Sequence, residues 1–273
     1  MPVNCQIVIP ARLASTRLPE KLLRKVSGKS VLQYTYEAAL QSKLAKAVVI
    51  AVDDERMARE VDVFGGKWVM TRVDHASGTD RIAEVASQFP SVDVFVNVQG
   101  DEPEIDPETI DSVAKLLIDD QAADMATAGT PIRDLERLSS PSCVKIVMAG
   151  YESNGGESTR DQSSENGGQT GKGRAVYFSR AVVPHSRDAS PESMLDAEPP
   201  IYWHHLGIYA YRREFLSWFA QQSPSVLEMT ERLEQLRAIE AGKRILVARV
   251  ESATAGIDTE SDLQAFATRL ARR

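Results

Sequence analysis

Hydrophobic positions along the chain alternate between two periods, and the alternation outlines a fold. The run Gln6 to Pro10 (QIVIP) is almost wholly apolar and predicts a buried strand, after which Val31 to Leu40 spaces its apolar residues at helical intervals. The exchange repeats through strand Ala47 to Val52, helix Glu55 to Val63, strand Lys67 to Met70, helix Thr79 to Gln88 and strand Val92 to Val98. Parallel neighbours need long crossover connections, so strands joined by such helices predict a mainly parallel sheet. The expected fold class is α/β with an open, doubly wound sheet.

Beyond Val98, Asp106 is placed to cap a helix that Pro107 starts and that continues to Leu117. Strands are expected at Met125 to Pro131 and Cys143 to Met148. Gly150 to Gly173 is dominated by Gly, Ser, Asn, Gln and charge, with almost no apolar side chain, and reads as a mobile surface insertion. Strands resume at Arg174 to Ser179 and in the alternating run Leu206 to Arg212. Helices Glu214 to Ala220 and Leu227 to Ala241 follow, then strand Ile245 to Val250 and a closing helix from Thr259. Thr259 and Asp262 have the spacing of a capping box.

Composition narrows the classes of function. The chain has 273 residues, 42% hydrophobic and 26% charged, enough for a sizeable core and two subdomains. Lys plus Arg number 32 against 39 Asp plus Glu, a net charge of −7. General nucleic-acid or anionic-membrane binding is therefore disfavoured, and any phosphate-binding charge must be concentrated locally. The two cysteines, Cys5 and Cys143, lie far apart without a CxxC pattern, which excludes a disulfide framework and a structural zinc site. The start Met1-Pro2-Val3-Asn4 lacks a basic leader region and its apolar run stops at Pro10, so a cytoplasmic protein without membrane insertion is expected.

Three segments concentrate the chemistry. In IPARLASTRLPEK, from Ile9 to Lys21, the donors Arg12, Ser15, Thr16, Arg17 and Lys21 share one loop after the first strand. Ligands of open α/β sheets bind at the carboxyl ends of strands, and guanidinium forks with a lysine suit a polyphosphate. A solvated basic loop is the competing reading. No glycine-rich dinucleotide turn is present, which disfavours an NAD-type site. In VNVQGDEP, Asp101 ends another central strand; beside phosphates it suits Mg²⁺, and otherwise it is a turn residue after Gly100. Glu102 reads as a helix-entry or surface acid. In GIDTESD, Asp258 is either a cap or a second metal ligand arriving from a distant part of the chain. By residue type alone His205 is a structural histidine of an apolar strand, and Glu234 and Gln235 are a solvated helix face. The run GGQTGKG at Gly167 to Gly173 has the wrong spacing for a P-loop and Gly173 where Ser or Thr is required, so it is assigned no function.

Taken together, IPARLASTRLPEK, TRVDHASGTDRIAE, VNVQGDEP, YFSRAVVP, HLGIYAYR, LEQLR and GIDTESDL closely resemble the 3-deoxy-manno-octulosonate (Kdo) cytidylyltransferases, in the family's order and over nearly the whole chain. The resemblance implies a sheet of the nucleotide-diphospho-sugar transferase type with a smaller sugar-binding and dimerisation subdomain. It implies a nucleotide-binding part over 1–130, a sugar-binding part over 131–250 and a metal-binding turn with the last helix over 251–273. The implied activity joins CTP and Kdo to give CMP-Kdo and pyrophosphate for lipopolysaccharide synthesis, in a homodimer with Mg²⁺ as cofactor. By position, Arg12, Ser15, Arg17 and Lys21 would bind the triphosphate, and Arg72, Ser77 and Gln99 the rest of the nucleotide. Asp101 and Asp258 would hold Mg²⁺ and, with Arg12 and Lys21, carry catalysis. Arg180, His205, Tyr209, Glu234 and Gln235 would hold the sugar, Arg180 at its carboxylate.

Two features depart from the family: His204 stands where a basic Arg or Lys usually precedes His-Leu-Gly, and the 150–173 insertion is longer than the usual short turn. Rival readings are a cytidylyltransferase for an amino-Kdo or other acidic sugar, a nucleotide-sugar-dependent glycosyltransferase, and a non-catalytic CTP-binding regulator. The glycosyltransferase would need a DxD-like motif where this chain has Gly100-Asp101-Glu102.

Overall fold

The computed structural model describes residues 3–15, 17–75, 77–153 and 171–272. Thr16, the 154–170 part of the expected insertion and the start of GGQTGKG lie outside them. In chain order the strands and helices are β1 Cys5–Ala11, β2 Lys25–Val26, β3 Lys29–Ser30, α1 Val31–Ala39, β4 Ala47–Val52, α2 Glu55–Val63, β5 Trp68–Met70, α3 Gly78–Gln88, β6 Val94–Asn97 and α4 Pro107–Asp119. There follow β7 Met125–Pro131, α5 Leu135–Ser139, β8 Lys145–Ser153, β9 Gly171–Ser179, β10 Trp203–Arg212, α6 Arg213–Phe219, α7 Val226–Glu231, α8 Gln235–Glu240, β11 Ile245–Arg249 and α9 Glu260–Leu270. No helix among the described residues is long and apolar enough to cross a membrane.

The chain forms two compact units. The first comprises Met1–Ile118, Ile208–Gln221 and Thr254–Arg273; the second comprises Asp119–Gly207 and Gln222–Ala253. This differs from boundaries at 130 and 250, and strand pairing is the reason. Strand β7 pairs with β11, whereas Tyr209 to Arg212 of β10 pair with β6.

In the first unit the strands run in the order β5, β4, β1, β6, β10. All are parallel except β10, as the βαβ rhythm of the sequence implies. The apolar runs fill the core: Ile7, Val8, Ile9, Ile50, Phe95 and Val96 are wholly buried. Helices α1, α2 and α3 start where Ser30, Asp54 and Ser77 accept a backbone N–H from the first turn, the usual N-cap arrangement. Because β5, β4, β1 and β6 are parallel, the loops leaving them at residues 71, 53, 12 and 98 share one edge of the sheet.

The second unit pairs β11 in parallel with β7 and antiparallel with β9, which pairs antiparallel with β8. A cluster of Ile132, Leu138, Cys143, Leu195 and Tyr202 fills part of its core. Cys5 and Cys143 are both free and buried, and burial pushes the Cys5 thiol up to about 12.

Three expectations change. The 150–173 segment is not wholly an insertion, since β8 and β9 extend into it from either side with Glu152 opposite Lys172 and Ser153 opposite Gly171. Ladder hydrogen bonding holds this polar sequence in strands that its side chains do not announce. Strand β10 begins at Trp203, before the alternating run. The helix expected over Leu227 to Ala241 is two helices, broken where Arg232 adopts φ 55°, ψ 47°. The break lets Arg237 fold back onto Glu228, with Nε 2.7 Å and Nη2 2.6 Å from its carboxylate oxygens. In one continuous helix residues nine apart point to opposite sides and lie about 13 Å apart along the axis.

Candidate active site

The donor loop leaves β1 at Arg12 and ends in a single 3₁₀ turn, Lys21–Leu23. That turn delivers Lys21 Nζ to two carboxylates: it donates to Asp101 Oδ2 and, at 3.0 Å, to Asp258 Oδ1. Asp101 follows β6, while Asp258 immediately precedes the Thr259 cap of α9. The capping box of Thr259 and Asp262 is present, so Asp258 is released from the capping role. Its second oxygen lies 2.9 Å from Arg17 Nη2 at the surface.

Backbone contacts hold these segments together. The Ile257 amide donates to the Asp101 carbonyl at 2.9 Å, tying the two aspartate turns to each other. Thr35 Oγ1 of α1 donates to the Gly100 carbonyl at 3.0 Å. A Cβ at Gly100 would lie 3.1 Å from both Leu22 Cδ1 and the Pro10 carbonyl oxygen, so glycine permits the approach of the lysine turn to the aspartate turn. Burial opposes the charge on Lys21, but the charge and hydrogen bond of Asp101, then Asp258, outweigh it and raise its pKa. Glu102 is neither a helix-entry residue nor a surface acid. It is partly buried, and burial, with Asp101 beside it, pushes its carboxyl up to about 7 against a hydrogen bond from Thr254.

The donor set fits Mg²⁺. Among the described residues no cluster of three or more His, Cys, Asp or Glu could hold a metal alone. Yet oxygens of Asp101 and Asp258 converge on one ammonium, and Mg²⁺ commonly takes one or two protein carboxylates and completes its shell with phosphate oxygens and water.

The other nucleotide candidates line the same edge of the sheet. Arg12 Nη2 donates to the His75 carbonyl at 3.3 Å. Ser15 lines a cavity of about 390 Å³ with Leu13, Pro19, Asp53, Asp54 and Arg56. Arg72 is exposed and forked onto Asp74, at 2.9 and 2.7 Å. Ser77 caps α3, accepting the Asp80 amide at 3.1 Å. Gln99 Nε2 donates to Asn97 Oδ1 at 3.4 Å. The sequence reading missed Asp53, Thr71 and Arg81, a buried set behind the donor loop. The segment TRVDHASGTDR carried two of the three, but their polar groups are used inward and composition does not show that.

Of the sugar candidates, Tyr209 belongs to the first unit, opposite Asn97 and stacked on Tyr211. The other four lie in the second. Arg180 donates to the carbonyls of Glu231, Pro141 and Arg232 at 2.7, 2.9 and 3.4 Å, which uses three of its five N–H groups. This brings it beside the segment leading to Glu234 and Gln235. Those two do not form a solvated face: Gln235 is 4% exposed, and its Nε2 is buried without a hydrogen-bond partner among the described residues. His205 is buried against Phe178 with Nε2 3.1 Å from Thr127 Oγ1. Lys145, also missed, is wholly buried and donates to the carbonyls of Ser140, Cys143 and Arg180 at 2.8–2.9 Å. His204 faces it in the strand register; burial, then Arg137 and Lys145, push its imidazole down to about 4.

A parallel sheet whose strand ends gather a basic loop and paired aspartates defines an α/β protein of the nucleotidyltransferase class. A model of the family described as Cytidylyltransferase matches residues 6–245. The chain is 55% identical to the 3-deoxy-manno-octulosonate cytidylyltransferase of Rhodopirellula baltica, over 98% of this chain and 99% of that one. It is 44% identical to the enzyme of the same name from Pelobacter propionicus, over 96% and 95%. A solved structure of CMP:2-keto-3-deoxy-manno-octonic acid synthetase complexed with CTP matches with a TM-score of 0.82 at 38% identity, over 98% of this chain and 99% of that one. The chain belongs to the 3-deoxy-manno-octulosonate cytidylyltransferase family.

Proposed function

We propose that the protein activates Kdo with CTP, forming CMP-Kdo and pyrophosphate for lipopolysaccharide synthesis, as a Mg²⁺-dependent homodimer in the cytoplasm. The observation that carries this reading is the meeting of Lys21, Asp101 and Asp258, three residues from separate parts of the chain, at the strand ends of a cytidylyltransferase fold. The anomeric oxygen of Kdo attacks the α-phosphorus, the bond to the pyrophosphate oxygen breaks, and the proton of the sugar hydroxyl passes to solvent water. Such a transfer needs in-line positioning and charge stabilisation and no covalent nucleophile.

Arg12 and Lys21, assisted by Ser15 and Arg17, bind the triphosphate. Asp101 and Asp258 hold Mg²⁺, which when bound neutralises phosphate charge. Arg72, Ser77 and Gln99 bind the rest of the nucleotide, where fixed hydrogen bonds reject a base that leaves them unpaired. Arg180, His205, Tyr209, Glu234 and Gln235 hold the acidic sugar; the unpartnered Gln235 amide supports a polar ligand there. One observation favours a second substrate, amino-Kdo: His204 is a neutral imidazole at a position that is basic in the family pattern.

Pyrophosphate release is measured with CTP, Mg²⁺ and Kdo, beside UTP, sialic acid and amino-Kdo. Release requiring CTP and Kdo is the expected result. Release with amino-Kdo alone changes the substrate, and CTP binding without release in any arm supports the regulator instead.

A further inference from the structure

Arg81 lies on the core-facing side of α3 beside Ile82, Val85 and Ala86, with its side chain 0% exposed. A guanidinium there is costly unless its donors are satisfied, and an apolar residue would pack without that cost. Its Nη2 donates to Asp53 Oδ2 at 3.1 Å and its Nη1 to Thr71 Oγ1, while its buried Nε has no hydrogen-bond partner among the described residues. The Thr71 hydroxyl in turn donates to the Val52 carbonyl at 2.9 Å. Asp53, 6% exposed, uses its other oxygen to accept the Leu13 amide at 3.0 Å.

The Leu13 amide belongs to the peptide that follows Arg12, so this bond orients the chain where the donor loop leaves β1. The far end of Arg12 is referenced to the same helix: its Nη2 donates to the His75 carbonyl, and the His75 ring is bonded to Glu84 of α3. We infer that Asp53 and Arg81 are positioning residues for the triphosphate site. Arg81 is wholly buried, and both oxygens of Asp53 are engaged within the protein, by Arg81 and by the Leu13 amide, although Asp53 also lines the cavity beside Ser15. Arg81 locks Asp53, and Asp53 holds the Leu13 amide so that Arg12 and the loop behind it present their donors before the nucleotide arrives. Preorganisation of this kind lowers the cost of binding and reaction, and displacing a donor by about 1 Å can cost roughly a hundredfold. The inference rests on the triphosphate role proposed above for Arg12.

The test uses the full chain with Asp53→Asn, Arg81→Met, Arg81→Lys and a control, Val85→Ala, which thins the same helix packing without touching the network. Pyrophosphate-release kinetics, CTP affinity by calorimetry and Tm are measured for each. Asp53→Asn keeps an acceptor for Leu13 but turns a donor toward Arg81. It is expected to lower kcat/KM for CTP roughly ten- to a hundredfold and to weaken CTP binding similarly, with KM for Kdo within about twofold of wild type. Arg81→Met follows it, and Arg81→Lys recovers part of the loss. Val85→Ala lowers Tm and leaves KM for CTP unchanged. Wild-type CTP affinity in Asp53→Asn overturns the inference, as does an equal loss in Val85→Ala at matched Tm. Should Asp53→Asn not fold, Thr71→Val, which removes one acceptor of Arg81, replaces it with the same readouts. A wild type that binds CTP but releases no pyrophosphate defeats the catalytic reading alone, and CTP affinity still decides this one. A wild type that binds no CTP overturns both.

Discussion

Lys21 satisfies two aspartates that lie 80 and 237 positions away along the chain. Removing either aspartate takes away a carboxylate proposed to hold Mg²⁺. Asp101→Asn is therefore expected to lower kcat about 10²- to 10³-fold, the usual cost of one preorganised electrostatic contact, and near-normal turnover at saturating Mg²⁺ would reject the assignment. Two histidines are expected to make stability pH-dependent. Burial first, then Arg137 and Lys145, push His204 down to about 4, and burial first, then the adjacent His204, pushes His205 down to about 3, against an ordinary value of 6.5. Below about 6.5 each of these two histidines therefore binds more protons in the unfolded chain than in the fold, so their contribution is present at neutral pH and is lost as pH falls toward 4 and 3. It is partly offset by Glu102, whose raised carboxyl works in the opposite direction between about 7 and 4.5. The slope is on the order of 1 kcal/mol per pH unit for each histidine. Urea unfolding at pH 7 and pH 5 measures it, and His204→Gln should flatten it; an unchanged slope in that variant assigns the acid sensitivity to other groups.

At the scale of elements, the interruption between α7 and α8 is stabilised by one acid with two tasks. Glu228 completes the capping box with Ser225 and also pairs with Arg237, the two side chains being 13% and 8% exposed. Truncating one partner of a buried pair strands the other, so Glu228→Ala should cost roughly 3–5 kcal/mol. A loss below about 1 kcal/mol in urea unfolding would show that the pair does not hold the break. Gly100 is the corresponding pivot of the first unit. In Gly100→Ala the new methyl must displace Leu22 or the backbone at Pro10, and turnover should fall more than Tm does because the lysine and aspartate turns separate. Parallel loss of both would make the glycine a packing residue only.

For the whole molecule, the polar insertion is expected to be separable from the proposed chemistry. Ser153 pairs with Gly171, so the ends of the segment stand side by side as a hairpin requires. Replacing 154–170 with a short Asn-Gly turn is expected to preserve kcat and KM for both substrates, and a tenfold loss would give the segment a part in the reaction. Light scattering of the full chain tests the proposed homodimer, and a monomer mass at working concentration would remove it.

The alternation of apolar runs and amphipathic segments by itself determined the parallel sheet of the first unit, because β1, β4 and β6 are buried strands and α2 and α3 have one apolar face each. The caps at Asp106 and Thr259 were equally legible, since capping is a local hydrogen bond. The motifs supplied the donor loop and the two aspartates as candidates. Only the tertiary structure decided that Lys21, Asp101 and Asp258 meet, that Gln235 is buried, and that β10 serves β6 with its last residues while its first belong to the second unit. It also decided the break at Arg232 and the inward use of Arg81. These outcomes depend on pairings between residues far apart in the chain, and periodicity reports which face of an element is apolar, never which partner will meet it.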